Sequence, residues 1–244
     1  MASKIDNVIL GYGQVGQAIL ANMYEKPKTY DVGQWENLED TAINYLHICI
    51  PYTDKFLYIV EQAVKKFNPK IVVIHSTVKP GTTCMIGLNV LYSPVLGRHA
   101  DNFSENIKGY VKYFAGNEND YDEVKKQFNL KTEFWGINTS ELEYAKVMST
   151  TRMYWELYYQ KIMQKDCEKY GYKFDDVYNR WTDNYNKGLV NDHPDWQRPN
   201  YDKMDTDTPG GHCLNSNIHL VDNDITKYLK AYEKGILYYV TKNT

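Results

Sequence analysis

The sequence is poor in cysteine and lacks both long apolar runs and clusters of basic residues. Its four cysteines show no CxxC spacing, which argues against a disulfide framework and against a zinc site. No apolar stretch is long enough to span a bilayer, and the N-terminus shows no signal-peptide h-region. The net charge of −3, without a run of Lys and Arg, argues against nucleic acid as a partner. We therefore expect a cytoplasmic protein with free thiols and with no metal, membrane or nucleic-acid partner.

The first half of the chain alternates short β-branched runs with helix-like segments. This is the pattern of parallel strands joined by crossover helices. Strands are predicted at residues 7–11, 29–32, 45–50, 71–74, 90–92 and 111–115, and helices at 15–23, 55–67 and 121–128.

The second half of the chain has a different pattern. Ser140 and Glu143 form a capping-box signature, and the helix that they start can continue to Tyr170, just before Gly171. Such a helix of roughly 30 residues is about 45 Å long, a length typical of a domain connector or a dimer interface. Residues 179–212 are polar and turn-rich, which predicts a functional loop region or a mobile insertion. A last helix is predicted at residues 225–240.

A glycine motif follows the first predicted strand and opens the first predicted helix. Gly11, Gly13 and Gly16 spell GxGxxG, in which the first glycine makes the tight turn, the second admits a pyrophosphate and the third allows close packing of helix on strand. Asp31 lies 20 residues beyond Gly11, where a carboxylate can accept hydrogen bonds from the ribose hydroxyls of NAD and disfavour the 2′-phosphate of NADP. The alternative is a structural glycine turn with Asp31 as an ordinary surface residue.

These patterns together predict an α/β fold. Residues 1–138 are expected to form an NAD-binding Rossmann-type domain with a doubly wound, mostly parallel sheet. Residues 139–244 are expected to form a long connecting helix and a small helical domain, with a homodimer through that helix. The cofactor site is predicted to include, besides the glycines and Asp31, the residues Tyr12, Gln14, Val15, Pro51, Ser76 and Thr77.

Four segments resemble the UDP-glucose and GDP-mannose dehydrogenase family, in the order in which that family has them. HSTVKPGTT (75–83) is similar to its STVxPGTT, and YSPVLGRHA (92–100) to its SPEFLREGxA. The helix ELEYAKVMSTTRMYWELYY (141–159) is similar to AExxKLxxNxxLA, and PGGHCLNSN (209–217) to the cysteine loop PGxGGHCLPKD. The resemblance covers most of the chain.

This resemblance implies catalytic roles for three residues. Thr77 matches a threonine that positions water and substrate near the nicotinamide, and Lys146 matches a lysine whose ammonium stabilises an alkoxide. Cys213 matches the nucleophile that attacks an aldehyde, so that a second oxidation gives a thioester, which is then hydrolysed. The implied reaction turns a sugar primary alcohol into an acid and reduces two NAD molecules.

Several positions depart from the family pattern. Val95 and His99 stand where the family has two glutamates, Thr150 stands where it has asparagine, and Asn217 stands where it has aspartate. An amide cannot act as a general base near neutral pH, so thioester hydrolysis is the step that these changes affect most. His99 is the candidate replacement base, since its ordinary pKa lies near neutral pH.

Alternatives to a complete dehydrogenase follow from these departures. One is a non-catalytic NAD-binding protein, and another is an enzyme that stops after one hydride transfer. The substrate is expected to be a small molecule such as a sugar nucleotide, although the family normally continues into a further domain that holds the nucleotide part. Cys49 and Cys84 are predicted to fill the core.

Overall fold

The computed structural model describes residues 7–36, 38, 41–87, 89–97, 102–205 and 212–234, without the side chains of His212 and Cys213. The chain divides into two compact units, residues 1–147 and 148–244. The boundary between them lies within the long helix that begins at Thr139. It is nine residues beyond the domain boundary predicted after residue 138.

A seven-stranded sheet forms the centre of the first unit. Its strands are β1 (Asn7–Leu10), β2 (Lys28–Tyr30), β3 (Tyr45–Ile48), β4 (Ile71–Ile74), β5 (Val90–Tyr92), β6 (Lys112–Ala115) and β7 (Thr132–Gly136). They lie in the order β2-β1-β3-β4-β5-β6-β7, and every neighbouring pair is parallel except β5 and β6. The chain therefore leaves β1 towards one side and reaches β3 on the other, which opens a crevice at the carboxyl ends of these strands. The predicted Rossmann-type, mostly parallel sheet is confirmed.

Both faces of the sheet are buried because apolar residues alternate between them. Val8 and Leu10 pack in the core on one face, together with helix α2 (Phe56–Phe67), whereas Ile9 packs on the other face with helix α1 (Gln14–Ala21). The near-continuous apolar strands are typical of such a two-sided sheet. The remaining helices of this unit are α3 (Thr82–Ile86), α4 (Phe103–Asn106) and α5 (Glu118–Val124).

The long helix predicted from Ser140 is confirmed as α6 (Thr139–Tyr170). Its second-unit portion buries Tyr154 and Tyr158 against Leu214, Ile218 and Leu229. Leu214 belongs to α8 (His212–Asn217), Ile218 directly follows that helix, and Leu229 belongs to α9 (Asp224–Glu233). The first part of the last predicted helix is thus present, and its residues from 235 onward lie outside the described part of the chain.

Two predictions for local structure are wrong. The predicted loop region 179–212 contains helix α7 (Trp181–Leu189), which continues a π-helical turn at Asp175–Arg180. Residues such as Asn184 and Gly188 have weak intrinsic helix propensity, so the sequence alone did not indicate this helix. Cys84 is exposed, because α3 directs Thr82 and Thr83 into the protein instead. Cys49 is buried as predicted. Among the described residues, no helix combines the length and apolar character needed to cross a membrane.

Candidate functional site

The first and third glycines of the GxGxxG motif are required by the packing of the chain itself. Gly11 has a φ of 97°, and a Cβ atom added there would lie 2.7 Å from the carbonyl oxygen of Cys49. A Cβ atom on Gly16 would lie 1.9 Å from the carbonyl oxygen of Gly11. Any side chain at either position would therefore displace the backbone of the turn between β1 and α1.

Gly13 has no such internal requirement. Its φ is −71°, and it is the N-cap of α1. No heavy atom of the described residues lies within 4 Å of a Cβ atom built on it. The first turn of α1, which begins with Gln14 and Val15, contains no acidic residue, and no described side chain caps the helix. The N–H groups at the start of a helix and the helix dipole at this end favour an anion.

Asp31 lies beside the glycine loop, just after β2. The backbone N–H of Tyr12 donates to Asp31 Oδ1 over 2.7 Å, while the Asp31 N–H donates to Gln34 Oε1 over 2.9 Å. Asp31 is exposed, so its carboxylate is held in place and remains accessible. An open cradle at Gly13 with a fixed carboxylate beyond it fits the diphosphate and the adenosine ribose of NAD.

The ends of β3 and β4 lie at the same edge of the sheet as the glycine loop, because these strands run parallel to β1. Ser76 Oγ donates to the carbonyl oxygen of Ile50 over 2.6 Å, which fixes the chain after β4 beside the exposed Pro51. Thr77 follows Ser76 and is half-buried. Topology thus brings Pro51, Ser76 and Thr77 to the edge at which the cofactor site is predicted.

Glu143 does not have the partner that the capping box predicts. Its carboxylate is fully buried and accepts hydrogen bonds from the N–H groups of Gly81 (2.5 Å) and Thr83 (2.8 Å) and from Thr83 Oγ1 (2.5 Å). One turn later, Lys146 Nζ donates to the carbonyl oxygen of Val95 over 2.9 Å. Val95 itself is buried, so the position where the family has a glutamate supplies a backbone acceptor to Lys146.

In the second unit, two predicted site residues meet. Asn217 Nδ2 donates to Thr150 Oγ1 over 3.3 Å, so the two residues that replace the family's asparagine and aspartate are hydrogen-bonded to each other. Cys213 belongs to the first turn of α8, but its side chain lies outside the described part of the structure. His99 also lies outside the described residues.

A buried group of polar side chains was missed by the sequence predictions. His47 of β3, Lys112 of β6 and His75, which directly follows β4, project into the core, where Phe114 and Phe128 surround them. His47 Nδ1 lies 3.0 Å from His75 Nε2. Lys112 Nζ lies 3.1 Å from His75 Nδ1. The available signal was the single polar residue in each of two otherwise apolar strands, YLHI and KYFA.

The directions of the hydrogen bonds in this group depend on the charge of Lys112, because His75 Nδ1 lies 3.1 Å from Lys112 Nζ and 2.8 Å from the carbonyl oxygen of Ser93. A charged Lys112 donates to the carbonyl oxygen of Ser93 (3.0 Å) and to His75 Nδ1. His75 Nε2–H then donates to His47 Nδ1, and His47 Nε2–H donates to Gln127 Oε1 over 3.3 Å. No described carboxylate is hydrogen-bonded to the group, so no counter-ion there offsets the cost of burying a cation.

Burial shifts the pKa of each of these bases downward. Loss of solvation lowers the pKa of Lys112 to about 7; Cys49 acts in the opposite direction, and Lys146 lowers the pKa further. Loss of solvation also lowers the pKa of His47 to about 4, and holds the pKa of His75 well below its ordinary value, with Lys112 as a further cause. The imidazoles are therefore neutral at physiological pH.

Comparison with known proteins identifies the fold. No protein-family model and no curated protein matches the chain. The UDP-D-ManNAc dehydrogenase of Pyrococcus horikoshii has a TM-score of 0.64 at 15% identity, over 97% of this chain and 72% of that one. The 3-hydroxyisobutyrate dehydrogenase of Mycobacterium tuberculosis has a TM-score of 0.64 at 12% identity, over 95% and 93%. A UDP-glucose dehydrogenase of Pyrobaculum islandicum has a TM-score of 0.59 at 15% identity, over 98% and 66%.

The chain thus has a fold that is shared by several dehydrogenases. Among them are nucleotide-sugar dehydrogenases, which confirms at the level of the fold the resemblance seen in the four sequence segments.

Proposed function

We propose that this protein is an NAD-dependent oxidoreductase that acts on a primary alcohol of a sugar or sugar nucleotide. The observation that carries the proposal is the open cradle at Gly13, which lies at the N-terminus of α1 beside the fixed carboxylate of Asp31. The dehydrogenase fold and the four family-like segments support the same activity. The cytoplasmic location and a homodimer through α6 remain part of the proposal.

The residues of the loop and of α1 would hold the cofactor by its diphosphate and ribose. The N–H groups at the start of α1 bind the diphosphate, and Asp31 accepts hydrogen bonds from the ribose hydroxyls. Charge repulsion between Asp31 and a 2′-phosphate selects NAD over NADP. Pro51, Ser76 and Thr77, at the carboxyl ends of β3 and β4, would face the rest of the dinucleotide.

Lys146 and Thr77 would hold the substrate oxygen. The Lys146 ammonium stabilises the alkoxide that forms as the alcohol loses its proton, and Thr77 orients the alcohol. Cys213 Sγ then adds to the aldehyde carbon, and oxidation of this adduct leaves a thioester that water cleaves. Bound NAD⁺ supplies the acceptor: R–CH₂OH and one water yield R–COO⁻, with two hydrides passed to two NAD⁺ and three protons released.

A second candidate is an enzyme that stops at the aldehyde. The specific observation in its favour is the hydrogen bond between Asn217 and Thr150, which joins two neutral groups where the family has a carboxylate. Neither group can take a proton from the water that must attack a thioester. His99 is the remaining candidate base for the complete reaction.

Calorimetry with NAD and NADP tests the binding half of the proposal. The wild-type chain is expected to bind NAD more tightly than NADP. Gly13→Ser fills the cradle but supplies a better N-cap to α1 than glycine, so this variant is expected to fold with unchanged or slightly higher stability and to lose NAD affinity. A wild-type chain that binds neither dinucleotide would refute the proposal.

The yield of NADH tests the catalytic half. A panel of sugar nucleotides and sugar alcohols is incubated with the protein and NAD, and NADH is counted per substrate consumed. Two NADH indicate the complete oxidation, and Cys213→Ser should then reduce the yield to one. One NADH with the wild type supports the single-step enzyme, and tight NAD binding without any turnover supports a non-catalytic protein.

A further inference from the structure

The carboxylate of Glu143 joins two segments of the first unit that are distant in sequence. Glu143 lies in the first turns of α6, and the hydrogen-bond donors to its carboxylate among the described residues belong to residues 81–83, about 60 positions earlier in the chain. Both carboxylate oxygens are used, since Oε2 accepts from Gly81 and Oε1 accepts twice from Thr83. Hydrogen bonds to a fully buried charged group are the strong kind.

These bonds supply what the short helix α3 lacks. α3 has only five residues, and its N-cap is Gly81, with a φ of 92° and no side chain of its own to accept from the first N–H groups. A helix this short is not stable by itself in water. Glu143 therefore acts as the cap of α3 from another segment, and a negative charge at this end is also favoured by the helix dipole.

The segment that Glu143 caps begins directly after Thr77. Residues 78–80 connect Thr77 to Gly81, and Val78 is fully buried among core residues. One turn along α6 from Glu143, Lys146 is bonded to the backbone of Val95. The turn of α6 with these two side chains is therefore fixed at two points, one on the segment after β4 and one on the segment after β5.

We infer that Glu143 is a positioning residue. By binding residues 81 and 83 to the turn of α6 that carries Lys146, it fixes the position of Thr77 relative to Lys146. This inference rests on the proposed function, in which Thr77 and Lys146 hold the substrate oxygen. Displacements of about an ångström among such groups reduce the rate strongly while cofactor binding is kept. Glu143 itself is expected to touch neither substrate nor cofactor, because its carboxylate is fully buried and both of its oxygens accept from Gly81 or Thr83.

The test replaces the carboxylate without changing its shape. In Glu143→Gln one acceptor becomes an NH₂ group that faces an N–H or O–H donor. Loss of charged hydrogen bonds of this kind corresponds to roughly a 10- to 100-fold increase in amide exchange, expected at residues 81–83 and measured by hydrogen exchange and mass spectrometry. Thr83→Val, which removes one of the three donors and keeps the fold, is expected to show a smaller increase. Glu141→Gln, at an exposed glutamate of the same helix, is the matched control and should match the wild type.

Two further measurements separate positioning from general stabilisation. Acetylation of Lys146 under limiting reagent is expected to be several-fold faster in Glu143→Gln, while Lys161, buried further along α6, is unchanged. With an active substrate, kcat is expected to fall at least about tenfold, with KM for NAD within about twofold of the wild type. In both measurements, Thr83→Val should lie between the wild type and Glu143→Gln.

The outcomes are distinguishable from failure of the proposed function. If Glu143→Gln retains wild-type exchange at 81–83 and wild-type Lys146 acetylation, the inference is wrong even when the protein proves to be an active dehydrogenase. If KM for NAD rises in parallel with the fall in kcat, Glu143 serves general stability and the inference is also overturned. If the wild type neither binds NAD nor turns over any substrate, the proposed function fails, and with it the catalytic meaning given to Glu143.

Discussion

Replacing Lys112 by methionine is expected to remove a pH dependence of stability from the first unit. Lys112 is buried between His75, the carbonyl oxygen of Ser93 and two phenylalanine rings. Methionine has nearly the length of the lysine stem and suits an apolar pocket. When the lysine is absent, His75 can take the tautomer whose Nδ1–H donates to the Ser93 carbonyl oxygen over 2.8 Å. The substitution therefore leaves this carbonyl with a donor.

The size of the effect follows from the pKa of Lys112, which burial lowers from 10.5 to about 7. Between these two values the folded chain carries a neutral Lys112 and the unfolded chain a charged one. The unfolded state thus binds more protons, and stability rises with pH. Between pH 7 and pH 9 the wild type should gain about 2 kcal/mol in free energy of unfolding relative to Lys112→Met, since one pKa unit corresponds to about 1.4 kcal/mol. Below pH 7 both states are protonated and this difference becomes constant.

The measurement is urea unfolding of both proteins at several pH values, followed by the fluorescence of the buried Trp35 and by exchange of the β4 amides. Taking the difference between the two proteins cancels the titration of groups that do not interact with Lys112. Lys65→Met, at an exposed lysine with a surface partner, is the control and should run parallel to the wild type. Parallel curves for Lys112→Met and the wild type would show that Lys112 is not a desolvated base, and the argument would be refuted.

Three other substitutions have defined outcomes. Gly16→Ala forces a Cβ against the Gly11 carbonyl, 1.9 Å away, so thermal unfolding should show a loss of at least about 1–3 kcal/mol, typical of overpacking. Unchanged stability would contradict the structure of the turn. Asp31→Asn keeps an acceptor for Tyr12 but removes the charge; calorimetry should show NAD bound roughly 10- to 100-fold more weakly and the preference for NAD over NADP reduced. An unchanged preference would place the ribose elsewhere. The pKa of His47 is about 4 in the folded chain and 6.5 in the unfolded chain, so on acidification the unfolded chain binds a proton first and the free energy of unfolding falls. His47→Leu should therefore remove about 3 kcal/mol of the wild type's loss in free energy of unfolding between pH 6.5 and pH 4. A wild type with the same free energy of unfolding at both pH values would contradict the lowered pKa of His47.

The elements that could be predicted from the sequence are those whose signal is local. Apolar β-branched runs gave β1, β3 and β4, and the glycine spacing gave the turn before α1. β7 was not predicted, because it is an edge strand in which Glu133 and Trp135 are exposed and its apolar alternation is weak. α7 was not predicted because its helix formers are sparse and tertiary context overrides propensity.

The parts of the site that could not be predicted depend on residues far apart in the chain. The Ser140 and Glu143 spacing indicated a local cap, yet donors from residues 81–83 compete for the same carboxylate, and no local rule ranks the two partners. The contact between His47, His75 and Lys112 joins β3, the residue after β4 and β6, and the sequence around each residue alone does not indicate that the three meet.

The alternative of a purely structural glycine turn accounts for only part of the motif. It explains Gly11 and Gly16, since a Cβ at either position collides with the backbone. It does not explain Gly13, where φ is ordinary and the space is open, and where serine, asparagine or aspartate would be a better N-cap for α1. Nor does it explain a carboxylate fixed by the amide of Tyr12 at the mouth of the same loop. At the N-terminus of α1, with the Asp31 carboxylate beside it, close approach of a diphosphate to the backbone is the requirement that the geometry at Gly13 fits.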